Sequence, residues 1–139
     1  MSTLDNRRQA MLELEHQAVW LFGTIAARSS LLRELALSTK KQRESARDEI
    51  RTDLLAAGKK PSPPLPGYPS EGLDNDGDMQ VAARSLLSQL SVVQLDVVGL
   101  TQGEDRAAAV SEFTLTSTSL TLWGDQPTAF PGLDPSRNR

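Results

Sequence analysis

The chain has no cysteine and a single histidine, His16, among its 139 residues. The missing thiols exclude disulfides, thiolate zinc sites, iron–sulfur clusters and a cysteine nucleophile. One histidine excludes a three-histidine zinc site and leaves any Ser-His-Asp triad only His16 to build on. Long apolar runs are missing too: no unbroken stretch reaches the roughly 18 residues that span a bilayer. The amino terminus, MSTLDNRRQAM, lacks the basic-then-apolar order of a secretory signal. The expectation is a soluble, cytoplasmic protein with no membrane partner. Strong charge of one sign is likewise absent. The net charge is −3, with eleven Lys/Arg against eight Asp/Glu in residues 1–60 and four against ten in 61–139. A nucleic-acid footprint is more one-sided than this, and Glu44, Asp48 and Glu49 interrupt the basic residues Lys40, Lys41, Arg43, Arg47 and Arg51. Nucleic acid is not an expected partner.

What is present is helical periodicity within a length that suits one domain, 1–139. Leu4, Met11, Ala18, Ile25 and Leu32 recur every seven residues, joined by Leu14, Leu21, Phe22 and Leu35. This predicts a long first helix over about 3–37, capped by Ser2 or Thr3, with Gly23 at a close contact with a neighbouring helix. A second helix, about 39–57, points Ser45/Ala46, Ile50 and Leu54 inward and stops at Gly58. Prolines 61, 63, 64, 66 and 69 forbid helix across Lys59–Asp78. That segment reads as a long crossover strapped along a bundle, with Tyr68 as its anchor. Its DNDGD cluster fails as a calcium loop, since Gly72 and Ala83 fall where carboxylates are required, and serves instead to start the next helix at Asp76 or Asp78. The third helix, 76–100, carries Met79, Ala83, Leu86, Leu90, Val93, Val97 and Leu100 on one face, with Gln80, Arg84, Ser88 and Ser91 opposite. The fourth segment, 103–122, is rich in Thr, but a lone strand has no sheet to join and helix is preferred. The irregular tail 123–139 carries Phe130 and Leu133, expected to pack on the bundle. The fold class expected from this pattern is all-α, a four-helix bundle with one long crossover.

Such bundles bind metal through a Glu from each of two helices and a Glu-x-x-His from each of the other two. Glu15 falls on the apolar stripe, where a carboxylate needs a partner; Glu13 does not. On the second helix Glu44-Ser-Ala-Arg47 puts arginine in the ligand's place. The third helix has no Asp or Glu between Asp78 and Asp96, and Glu112 of the fourth is followed by Leu115 at the histidine spacing. Two arrangements remain open. In the expected one Glu15 pairs with Arg43 or Arg47, His16 is a half-buried packing residue, and no metal or cofactor is bound. In the alternative a single iron or manganese is held by Glu15, His16 and Glu112.

The stretches LEHQAVWLFGTIAAR, ARDEIRTDLLAAGKKPSPPLPGY and LTLWGDQPTAFPGL together resemble the actinobacterial ferritin-like family of unknown function DUF4439, over about Leu12–Leu133. The resemblance is carried by Glu15-His16, Trp20, Gly23, Arg47-Asp48, Gly58, Tyr68, Trp123-Gly124 and the run Ala129-Phe130-Pro131-Gly132-Leu133. It implies a ferritin-like bundle, often paired as a dimer, and a helical fourth segment. It also implies a histidine near the start of the second helix, where this chain has Arg43, and a glutamate in the third, where it has Ser88 and Gln89. The functional expectation is a non-catalytic bundle that works through self-association or an unidentified protein partner, with Trp20 and Trp123 as interface candidates. The rival is a degenerate metal-carboxylate redox protein.

Overall fold

The computed structural model describes residues 2–124, which form four helices and no strand: α1 Thr3–Arg28, α2 Arg33–Ala56, α3 Asp76–Leu100 and α4 Gly103–Gly124. Ser2 caps α1, its hydroxyl accepting from the Asp5 N–H at 3.0 Å. The heptad line that predicts a helix to residue 37 is interrupted at Arg28. There the Ser29 hydroxyl accepts the Leu32 N–H at 3.0 Å and donates to Asp76 Oδ1 at 2.7 Å. A serine that satisfies the local backbone itself competes with helix propagation. Leu32 therefore fills the core from a turn, fully buried, and α2 begins at Arg33 instead of 39. The earlier start extends the inward line of α2 to Ala36, Thr39, Arg43, Ala46, Ile50 and Leu54, spaced by three and four residues as a bundle seam requires. Gly58, at φ +74°, ends the helix, and the Lys59 N–H returns to the Leu54 carbonyl at 2.9 Å. A β-carbon is strained at that φ, which is why glycine stands there.

The crossover climbs the outer side of α1. Gln9 accepts the Ser62 N–H at 2.9 Å and donates to the Lys60 carbonyl at 2.8 Å. Further up, His16 Nε2 lies 2.9 Å from the Ser62 carbonyl, Tyr68 stacks obliquely on Trp20 with ring centroids 5.6 Å apart, and Leu73 enters the core. The prolines suit this route because they bring no N–H that the α1 surface would have to satisfy. Asn75, and not Asp76 or Asp78, caps α3, accepting the Asp78 N–H at 2.9 Å. Asp76 is already engaged by Ser29.

Helix α1 packs on both α2 and α3, and α3 packs on α4. α1 and α4 run one way, and α2 and α3 the other. One apolar cluster, with Phe22, Ile25, Leu32, Leu87 and Trp123, fills the end near the Ser29 turn; a second, with Met11, Leu12, Ile50, Leu54, Leu90 and Val97, fills the opposite end. The expected face of α3 is buried at Met79, Ala83, Leu86, Leu90 and Val97, but the buried face is wider than that line: Gln80, expected opposite, is buried, as are Leu87 and Gln94, whereas Leu100 is 42% exposed. By length and composition α3 is apolar enough to cross a membrane, a property that the search for unbroken apolar runs does not register. In α4 only Thr116, Ser119 and Trp123 are buried.

Candidate functional site

Where α1, α2 and α4 meet between the two apolar clusters, three ionisable side chains converge. Arg43 Nη1 donates to Glu15 Oε2 at 2.9 Å and to Thr116 Oγ1 at 3.3 Å, while Nη2 lies 3.6 Å from Glu112 Oε1. Glu15 and Arg43 are wholly buried and the Glu112 side chain is 26% exposed. Each reaches the core because its helix seam brings it there: Glu15 follows Met11 by four residues on α1, and Arg43 sits between Thr39 and Ala46 on α2. Burial pushes the Glu15 carboxyl up to about 8, against the pull of Arg43, and raises Glu112 as well, with Arg43 opposing and Glu49 adding to the rise. Two carboxyls face one guanidinium, so the cluster is neutral when it retains one proton. An ion pair removed from water is costly unless charge and hydrogen bonds are satisfied, which is the physical reason for that proton.

The other residues weighed in the sequence are placed elsewhere. Arg47 turns outward and pairs with Asp48 at 3.0 Å, leaving the core pairing to Arg43. His16, one residue after Glu15 and hence about 100° around the helix, faces the crossover and its Ser62 carbonyl. Glu15, His16 and Glu112 are therefore not brought together, and no group of three His, Cys, Asp or Glu suited to a metal ion occurs among the described residues. The donor set does not fit a carboxylate-bridged metal centre: the cation between Glu15 and Glu112 is the guanidinium of Arg43, and the polar α3 residue that lines the same cleft is Gln94, not a carboxylate.

Trp123 is fully buried, donating from Nε1 to Thr39 Oγ1 at 3.0 Å and stacking obliquely on Phe22 at 5.3 Å. This corrects its expected place at an interface. The end of α4 needs an anchor on α2, and the indole supplies both the area and the donor. Trp20 is half-buried beneath Tyr68. A β-carbon on Gly23 would sit 3.4 Å from Cε of Lys40, so α2 covers it with an aliphatic stem. Phe130, Pro131, Gly132 and Leu133 lie outside the described residues.

Sequence reasoning missed the polar layer of the core: Thr39, Gln80, Gln94 and Thr116, each at most 2% exposed. Ser88 and Gln89, where the resemblance looks for a carboxylate, are exposed. A signal was available, since Gln80, Leu87 and Gln94 are spaced by seven. Counting glutamine as an outward residue hides it.

Residues 8–135 match the family described as a domain of unknown function, DUF4439, and the chain belongs to that family. Among solved structures, it is similar to a conserved hypothetical protein, rv2844, from Mycobacterium tuberculosis, at 21% identity and a TM-score of 0.81, covering 89% of this chain and 97% of that one. That likeness is one of fold. No curated protein matches.

Proposed function

We propose that this chain is a non-catalytic, cytoplasmic bundle of ferritin-like type that acts through protein contacts, self-association into a homodimer first among them. The observation that carries the reading is Arg43, whose cation lies between Glu15 and Glu112 where a metalloprotein of this architecture places metal. What supports the contact surface is the outward side of the α3/α4 hairpin. From Ala107 to Gly124 the only charged residue is Glu112, and from Met79 to Leu100 there are only Arg84 and Asp96. Val81, Val92 and Leu95 on α3 and Val110, Leu115 and Leu122 on α4 are exposed. Apolar surface without charge is the composition of an interface centre.

Light scattering on a sizing column tests the reading. A species of about twice the 15.1 kDa chain mass at tens of micromolar, reduced to one chain by Val92→Glu, is the expected outcome; a parent protein that elutes as one chain at that concentration overturns self-association. The rival reading, iron or manganese held by Glu15, His16 and Glu112, draws on the same two carboxyls but has its histidine turned to the crossover. It predicts about one metal per chain by plasma mass spectrometry, lost in Glu15→Ala, and a ratio near zero in metal-supplemented culture rejects it.

A further inference from the structure

Toward the Ser29-turn end helices α2 and α4 are joined by the hydrogen bonds Thr39–Trp123, Gln42–Ser119 and Arg43–Thr116 and by the ion pair Arg43–Glu112. Beyond Arg43 they part, and a cleft of about 400 Å³ opens between them down to α1 and α3. Its lining divides by chemistry. Met11, Ile50 and Val97 make an apolar floor, with Asp48, Glu49 and Asp53 on the α2 wall and Asp105 on the α4 wall. The one basic residue among the lining side chains is Arg8, which lies 3.9 Å from Asp53.

The cleft also holds oxygens without a hydrogen-bond donor. Gln94 is 2% exposed, lines the cleft, and its Oε1 has no hydrogen-bond donor, as is true of Oε1 of the fully buried Glu15, whereas Glu112 Oε1 has only the charge of Arg43 Nη2 at 3.6 Å, too long for a hydrogen bond. A buried acceptor without a donor is costly, and one left so in a native protein calls for an explanation, a bound group among them. The Gln94 amide oxygen without a donor, two carboxyls that share the single guanidinium of Arg43, and a carboxylate rim above them together suit a ligand that brings donors and positive charge. The apolar floor requires that it also bring hydrocarbon.

We infer that the cleft between α2 and α4 is a binding site for an aliphatic oligoamine, one ammonium donating to the Glu15, Gln94 and Glu112 oxygens and a second meeting the Asp48, Asp53 and Asp105 rim. The methylene chain between them covers Met11, Ile50 and Val97. A cation at this depth also opposes by its charge, as Arg43 does, the rise that burial imposes on Glu15 and Glu112. The inference does not depend on the oligomeric state.

Isothermal titration of the intact protein with spermidine at pH 7.5 and low salt tests it. Two variants separate the cleft from the general attraction of an acidic surface: Gln94→Leu removes the buried acceptor, and Ala109→Leu fills the cleft without altering charge. The expected result is one spermidine per chain, weakened at least tenfold in each variant that keeps its helical circular dichroism. The absence of saturable binding in the parent protein overturns the inference. So does binding at variable stoichiometry that both folded variants retain unchanged, because exposed carboxylates alone then account for it.

Discussion

The two helical hairpins of this bundle are built on opposite terms. The α1/α2 pair carries most of the charge, including eleven charged residues in α2 alone, yet it supplies most of the buried side chains and the buried ion pair. The α3/α4 pair is charge-poor along its length, yet α4 buries only Thr116, Ser119 and Trp123. Apolar composition therefore does not locate the core. Placement on a shared seam does, and in α2 that seam admits an arginine because a glutamate stands opposite it.

The largest effect that sharpens this contrast is expected at Arg43. Arg43→Met leaves Glu15 buried without its partner, and breaking such a pair costs about 3–5 kcal/mol. Urea unfolding of Arg43→Met beside the double variant Arg43→Met/Glu15→Leu measures it; the double variant should recover more than half of the loss. A single variant as stable as the parent protein refutes the importance of the pair.

Leu87→Ala on α3, with its side chain fully buried, should cost about 2–5 kcal/mol. Leu115→Ala on α4, 43% exposed, should stay within about 0.5 kcal/mol in the isolated chain. Equal losses by thermal unfolding would erase the distinction between the hairpins.

The pH dependence of stability is expected next. Glu15 and Glu112 have raised values in the folded state, so between their unfolded values near 4.5 and the folded Glu15 value of about 8 the folded chain holds protons that the unfolded chain has released. Stability from these groups is fully present below pH 4.5 and is lost as pH rises toward 8, at up to about 1.4 kcal/mol per pH unit for one proton. Urea midpoints at pH 5, 6.5 and 8 should fall in that order, and Glu15→Gln should flatten the series. A parent midpoint that rises with pH contradicts the sign.

The smallest of these effects is at Gly58. Gly58→Ala places a β-carbon at φ +74° and should destabilise by about 1 kcal/mol, visible as a lower urea midpoint. No change there would mean that the turn after α2 rearranges freely.

Much of the fold was legible because helical period and proline placement are local properties. The Gly58 stop, the crossover and the third helix were read from a few residues each. The break at Ser29 was not, because Leu32 continues the seven-residue spacing while the event that ends the helix is a serine hydroxyl engaging Leu32 and Asp76. Asp76 lies 47 residues away. The site was half legible. Glu15 stood out as an inward carboxylate, and Arg43 and Arg47 as its available cations, but only packing selects Arg43 and turns Arg47 toward Asp48.

The sequence by itself determined that the chain is helical, that its second and third helices are joined by a segment unable to be helix, and that a carboxylate enters the core, since all three follow from periodicity, backbone sterics and the cost of burying charge. The tertiary structure alone decided which cation meets that carboxylate, that His16 faces the crossover, and that α2 and α4 part to leave an acid-rimmed cleft. Those outcomes depend on the rotation and separation of helices, which no local pattern encodes.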